Sequence, residues 1–157
     1  MKIKKEYYGV IAGIAVLLIL ALYLMPGDSG SARVAEEDMT KISKGRGIQI
    51  IATYLNPKYE DQFPNSFAFY IQMNTHSGDL FIYDLLELSY LQDGEGNVYK
   101  PIRWTESDRS WGHHRSGVLE FQKIDENGNL ILSKKDKTFR LVIKGIEFDR
   151  EFVWKTR

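Results

Sequence analysis

The sequence predicts a mainly β protein: an antiparallel, immunoglobulin-like β-sandwich preceded by one N-terminal transmembrane helix. Three observations lead there. From residue 47 onward, apolar and polar residues alternate with period two. Asp93-Gly94-Glu95-Gly96-Asn97 and Asp125-Glu126-Asn127-Gly128-Asn129 punctuate that alternation as turns. Residues 7–25, YYGVIAGIAVLLILALYLM, carry no charge and follow Lys2, Lys4 and Lys5.

The uncharged run comes first in the chain. At about 1.5 Å per residue it makes a helix of roughly 28 Å, enough to cross a hydrocarbon core. Lysines ahead of it and mixed charge after it leave residues 1–6 in the cytoplasm and the rest outside a single-pass cell membrane anchor. The competing reading is a signal peptide cleaved after Gly30-Ser31-Ala32, with a secreted product. That triplet lies well past the apolar run, and a secretory h-region usually spans about 7 to 15 residues, so the retained anchor is the better fit. Gly9 and Gly13 make a G-x-x-x-G pair, through which two spans can approach closely. Residues 26–46, rich in Gly, Ser and charge, read as a linker, and residues 47–157 as the extracytoplasmic domain.

Strands follow in order. Ile48, Ile50, Ala52 and Tyr54 share one face of the first, and Phe67, Phe69, Ile71 and Met73 one face of the second. Residues 86–92 mark a third through Leu86, Leu88 and Tyr90, and residues 98–104 return from the turn at 93–97. Residues 118–123 follow, with Leu119 and Phe121 apolar. Phe139, Leu141 and Ile143 form a late strand, Gly145 breaks it, and residues 148–154 close the chain. Outside the anchor no window shows a 3.6-residue period.

Composition removes several functions. The 21 basic residues balance 21 acidic ones without a basic block, so nucleic acid is not an expected partner. The lack of cysteine excludes disulfides, zinc–thiolate sites, C-x-x-C-H haem attachment, a cysteine nucleophile and a blue-copper centre.

Two connections are longer than turns require, Thr75 to Asp84 and Thr105 to Gly117, and together they hold His76, His113 and His114. If the strands 66–74, 86–92, 98–104 and 118–123 alternate in direction, both connections fall at one end of the sandwich. The turns at 56–65, 93–97 and 125–129 then fall at the other. Because the first strand starts near Gly47, the linker would join the histidine end, making it membrane-proximal.

Imidazoles with a carboxylate or thioether bind Cu or Zn, so His76, His113, His114, Asp79 and Met73 are candidate metal ligands, with Asp84 a further carboxylate. The ordinary alternative is that these loop histidines hydrogen-bond to the backbone and organise long connections. Trp111 either plugs the end of the sandwich or stands, with Arg115 and Ser116, on an interaction surface. Catalysis is not expected. A serine-type hydrolase would use Ser116, but no G-x-S-x-G elbow occurs, and the hydroxyl can equally cap its own loop.

The segments NTHSGDL (74–80), YDL (83–85), LQDGEGNVYKPIRW (91–104) and GHHRSGVLEF (112–121) resemble an uncharacterised family of prokaryotic membrane-anchored or secreted domains. THS and GHH-x-SG are its most specific pieces. The resemblance implies an extracytoplasmic prokaryotic domain and carries no activity or ligand. The leading expectation is therefore a binding domain, held in the membrane by its N-terminal helix and meeting an envelope protein or membrane complex. A copper or zinc module is the alternative.

Overall fold

The computed structural model describes residues 34–133 and 135–156. The expected cytoplasmic tail and the anchor at 7–25 lie outside the described residues, and among these no helix is long and apolar enough to cross a membrane. Strands β1 (Thr40–Lys44), β2 (Ile48–Tyr54), β3 (Ser66–Thr75), β7 (His114–Gln122) and β6 (Pro101–Glu106) form one antiparallel sheet in that order. A second contains β5 (Val98–Tyr99), β4 (Ser89–Gln92), β8 (Thr138–Ile146) and β9 (Phe148–Lys155).

The period-two pattern explains why the sheets face each other. Ile50, Ala52, Tyr54, Phe67, Phe69, Ile71, Met73, Leu119 and Phe121 from the first sheet are buried, as are Leu91, Phe139, Leu141, Ile143, Phe152 and Trp154 from the second. Rings cross the gap between the sheets: Tyr54 meets Phe139 at 5.1 Å between centroids, and Phe69 meets Trp154 at 5.2 Å. Such offset and edge contacts contribute beyond area burial, by about 0.5–1.5 kcal/mol each. The buried indole N–H of Trp154 donates to the Met39 carbonyl at 2.9 Å, so it leaves no orphan donor.

Several boundaries differ from the sequence reading. Leu85–Leu88 is a single helical turn, and the third strand begins only at Ser89. Asp84 decides this by accepting from the backbone N–H groups of Leu86 (2.9 Å) and Glu87 (3.4 Å), an N-cap that the alternation of Leu86, Leu88 and Tyr90 conceals. Residues 98–104 are not one strand, because the chain changes sheet at Lys100, where Pro101 opens β6 without an N–H to donate. Strand β7 starts at His114, four residues early, which draws much of GHH-x-SG into the sheet. The two Asp-x-x-Gly-Asn turns form as expected and are twins. Asp93 accepts from the N–H groups of Glu95 and Asn97, and Asp125 from those of Asn127 and Asn129.

The largest correction concerns the linker. Val34, Ala35 and Met39 are buried, and Thr40–Lys44 pairs along β2, with Thr40 opposite Thr53 and Lys44 opposite Gln49. Of the charged residues that suggested a linker, Glu36, Glu37 and Asp38 form a 3₁₀ turn before the strand, and Lys41 and Lys44 lie on the edge strand itself. This added strand reverses the molecule's polarity. The chain comes in beside Tyr54, and β9 leaves beside Thr138, so both described ends lie at the pole opposite His113. The expectation that the chain enters the sandwich at the histidine end, with its first strand starting near Gly47, is thereby corrected.

Arg150 locks β1 to the rest. Its side chain is fully buried and donates to the carbonyls of Ile146 (2.9 Å) and Ile48 (3.1 Å), the Ser43 hydroxyl (3.2 Å) and the Glu147 carboxylate (2.5 Å). Glu147 sits at φ 63°, a conformation a non-glycine residue adopts only under constraint, and its carboxylate accepts from Gly47 N–H at 2.7 Å. One ion pair thus ties the β8–β9 turn to the β1–β2 turn. A chain beginning at Gly47 should therefore be less stable than one beginning at Val34. It loses the burial of Val34 and Met39, about 1.5–3 kcal/mol per side chain. Equal thermal midpoints by circular dichroism would show that β1 is an appendage.

Candidate functional site

The pairing of β3 with β7 builds the histidine pole. Asn74 lies opposite His114, and Thr75 N–H donates to the His113 carbonyl at 3.0 Å, so the two long connections leave the sheet side by side. Trp111 and His114 exchange both backbone bonds, at 2.7 and 2.8 Å, closing a tight hairpin around Gly112 and His113. Leu80 N–H donates to the Gly112 carbonyl at 2.8 Å, which fastens the Leu80–Ile82 turn to that hairpin. The hairpin is held from both sides.

On this frame the Trp111 ring lies against both imidazoles, 5.5 Å from His113 and 4.9 Å from His114 between centroids. Trp111 is nevertheless 56% exposed. It does not plug the sandwich. Nδ1 of His114 is 2.7 Å from the Asn74 side-chain oxygen, within hydrogen-bond distance, which fixes the ring against the end of β3. His76 is exposed just beyond β3. Thr75 Oγ1 lies within bonding distance of the Gly47 carbonyl (2.9 Å) and the Ser77 carbonyl (2.8 Å), which anchors the start of that loop.

The candidate metal ligands do not assemble. Among the described residues no group of three or more His, Cys, Asp or Glu is placed to hold an ion. Met73 is buried in the core, because its register position on β3 faces the second sheet. Asp79 accepts from Phe81 N–H at 2.9 Å, and Asp84 caps the following helical turn, so both carboxylates organise the loop.

Arg115 also departs from expectation. Far from standing on an interaction surface, it is buried on the inner face of β7. Its guanidinium donates to the carbonyls of Leu80 (3.1 Å) and Tyr83 (2.5 Å) and to the Glu106 carboxylate (3.0 Å). The rings of Phe81 and Trp104 flank it at 5.2 and 5.4 Å. This arginine is the pin that holds the Leu80–Ile82 turn down. Ser116 is half-buried, its N–H donates to the Ser110 hydroxyl (3.0 Å), and that hydroxyl donates to its carbonyl (2.9 Å). Gly117 is required by a close approach: a Cβ there would meet the Thr105 carbonyl at 2.4 Å and the Trp104 ring at 2.7 Å. The conspicuous GHH-x-SG segment is thus explained mostly by pairing and packing.

Sequence reasoning missed Asn74, Glu106 and the exposed pair Phe81 and Ile82. The available signal was an apolar Leu-Phe-Ile run inside a loop, next to Gly78 and Asp79. Comparison with known proteins finds no family model, no curated protein and no solved structure that matches the chain.

Arg115→Ala is expected to cost about 2–4 kcal/mol in chemical denaturation, since it removes several charge-assisted bonds, leaves the Tyr83 carbonyl without its donor and deprives Glu106 of its cation. A loss below about 0.5 kcal/mol would reject its role as a pin. Acid should act through related carboxylates. Burial opposes ionisation of Glu106, but the bonds from Arg115 and Trp104 outweigh it and hold the carboxyl below its usual range. Arg103 and Ser66 hold that of Glu120 low. Carboxylates depressed by folding stabilise fully above their unfolded values and lose that contribution as pH falls through the folded ones. The thermal midpoint should hold between about pH 6 and 8 and drop steadily below about pH 4. A melting series across that range checks it.

Proposed function

We propose that this chain is a membrane-anchored extracytoplasmic binding domain of immunoglobulin-like topology, meeting an envelope partner at the Trp111 pole. The topology rests on strand order. β2-β3-β7-β6 facing β5-β4-β8-β9 follows the A-B-E-D and C′-C-F-G arrangement, with β1 as an added edge strand. In that scheme the connections β3–β4, β6–β7 and β8–β9 share one end, the end at which variable domains carry their recognition loops. The anchor rests on residues 7–25 and the lysines before them.

The observation that carries the binding reading is Trp111. A large aromatic side chain, 56% exposed, stands on a hairpin whose backbone is bonded on both sides. Rigid exposed tryptophan supplies contact area at little cost in conformational entropy, which is why it is enriched at binding hot spots. Phe81 and Ile82, 46% and 72% exposed on the adjoining turn, extend the apolar surface. Phe81 lies against the Arg115 guanidinium and still leaves nearly half its surface open, while Ile82 is mostly exposed.

The test uses the labelled full chain and envelopes isolated from its own cells. Binding should saturate, and Trp111→Ala should weaken it at least about tenfold, or 1.4 kcal/mol, with no change in melting temperature. Val153→Ala, an exposed position on β9, should leave it unchanged. Binding that never saturates, or that is indifferent to Trp111, would overturn the assignment of this pole.

A further inference from the structure

Trp111 is surrounded by groups of a particular kind. Its neighbours on the hairpin are the imidazoles of His113 and His114, and the amide of Asn74, on the end of β3, lies against the second of them. Each can donate or accept a hydrogen bond without bearing a fixed charge. Of the charged groups at this pole, Arg115 pairs with Glu106, Asp79 accepts from Phe81 N–H, and Asp108 and Arg109 are neighbours of opposite sign on the loop before the hairpin. The pole therefore offers an exposed π face edged mainly by neutral polar groups.

That pairing of surfaces is complementary to a pyranose ring. A sugar presents one face of C–H bonds, polarised by the neighbouring oxygens, and an equatorial rim of hydroxyls that both donate and accept. The negative face of an indole attracts the first, and imidazole and amide groups satisfy the second. The platform is open rather than enclosed, which suits several rings of a chain laid across it and not a single molecule buried in a pocket.

We infer that the Trp111 pole binds a saccharide chain of neutral pyranose units, such as an envelope polysaccharide. This rests on the reading of that pole as the binding end. Placement in the fold agrees with it. Residues 34–40 enter at the opposite pole, so a chain anchored through residues 7–25 holds Trp111 away from the lipid and toward the polymer side of the envelope. β3 alone spans 10 residues, and at about 3.3 Å per residue the domain lifts the platform roughly 30 Å from the pole where the chain enters.

The experiment is a fluorescence titration of the full chain in detergent micelles with chitotetraose and, separately, cellotetraose. Trp154 is buried and Trp104 half-buried, so the red edge of the emission belongs to Trp111. A saturable blue shift with either oligosaccharide, at a Kd between about 10 µM and 1 mM, is the expected result. The variants are read by titration calorimetry, which does not depend on the indole. Trp111→Ala should abolish the binding heat, and Trp111→Phe, which keeps a stacking face, should retain binding weakened by about three- to tenfold. No saturable shift with either oligosaccharide up to about 10 mM, or calorimetric binding undiminished in Trp111→Ala, overturns the inference. The two readings separate cleanly. If Trp111→Ala weakens envelope binding but neither oligosaccharide binds, the pole is a binding end for something other than a saccharide. If envelope binding ignores Trp111, both readings fall.

Discussion

The register between β3 and β7 is the constraint from which the rest of the molecule follows. The two strands are far apart in sequence and pair from Ser66 opposite Gln122 to Asn74 opposite His114. A one-residue slip would turn Phe67, Phe69 and Ile71 out of the core and bring Tyr70 and Gln72 in. The same register sets Thr75 beside His113 and so brings the two long connections to one pole. Burial in the middle of the ladder thereby positions an exposed tryptophan at its end. The backbone bonds between Trp111 and His114 complete that placement.

Where the apolar core runs out, two buried arginines take over. Arg115 ends the inner face of β7 and gathers the Leu80–Ile82 turn, Tyr83 and Glu106. Arg150 does the same for the turns 45–47 and 146–148. A buried cation is costly unless its donors are all used, so each arginine selects the one arrangement of carbonyls and carboxylate that satisfies it. Such pairs add little net stability compared with well-packed apolar residues, yet they specify where irregular segments lie. The left-handed Glu147 is a local cost of that arrangement, offset by three bonds to its carboxylate. Rigid loops at this pole are thus a product of ionic geometry, while the opposite pole relies on the twin Asp-x-x-Gly-Asn turns.

Strand β1 changes what the pole faces. Without it the chain would arrive at the start of β2, next to His113; with it the chain arrives beside Tyr54. One short, half-charged edge strand therefore decides which end of the sandwich is nearer to whatever precedes residue 34. The ion pair of Arg150 with Glu147, together with the Ser43 hydroxyl, holds that strand in place.

By itself the sequence determined the β class, most strand positions and the clustering of the histidine loops, because period-two burial and Asp-Gly turns are local signals that leave a direct trace in residue order. It also made the core aromatics legible, since Phe67, Phe69, Phe121, Phe139 and Trp154 stand at inward positions of alternating strands. Only the tertiary structure decided that Thr40–Lys44 is a strand, because an edge strand with one exposed face resembles a polar linker until a partner is supplied. Tertiary structure also moved Arg115 from surface to pin, and Met73 from candidate ligand to core. Charge and sulfur suggest chemistry in a sequence, but burial settles their use, and burial depends on a facing sheet that residue order does not display. The exposure of Trp111 belongs with these. Its hairpin is held by bonds to β3 and to the Leu80–Ile82 turn, contacts between segments that are distant in the chain.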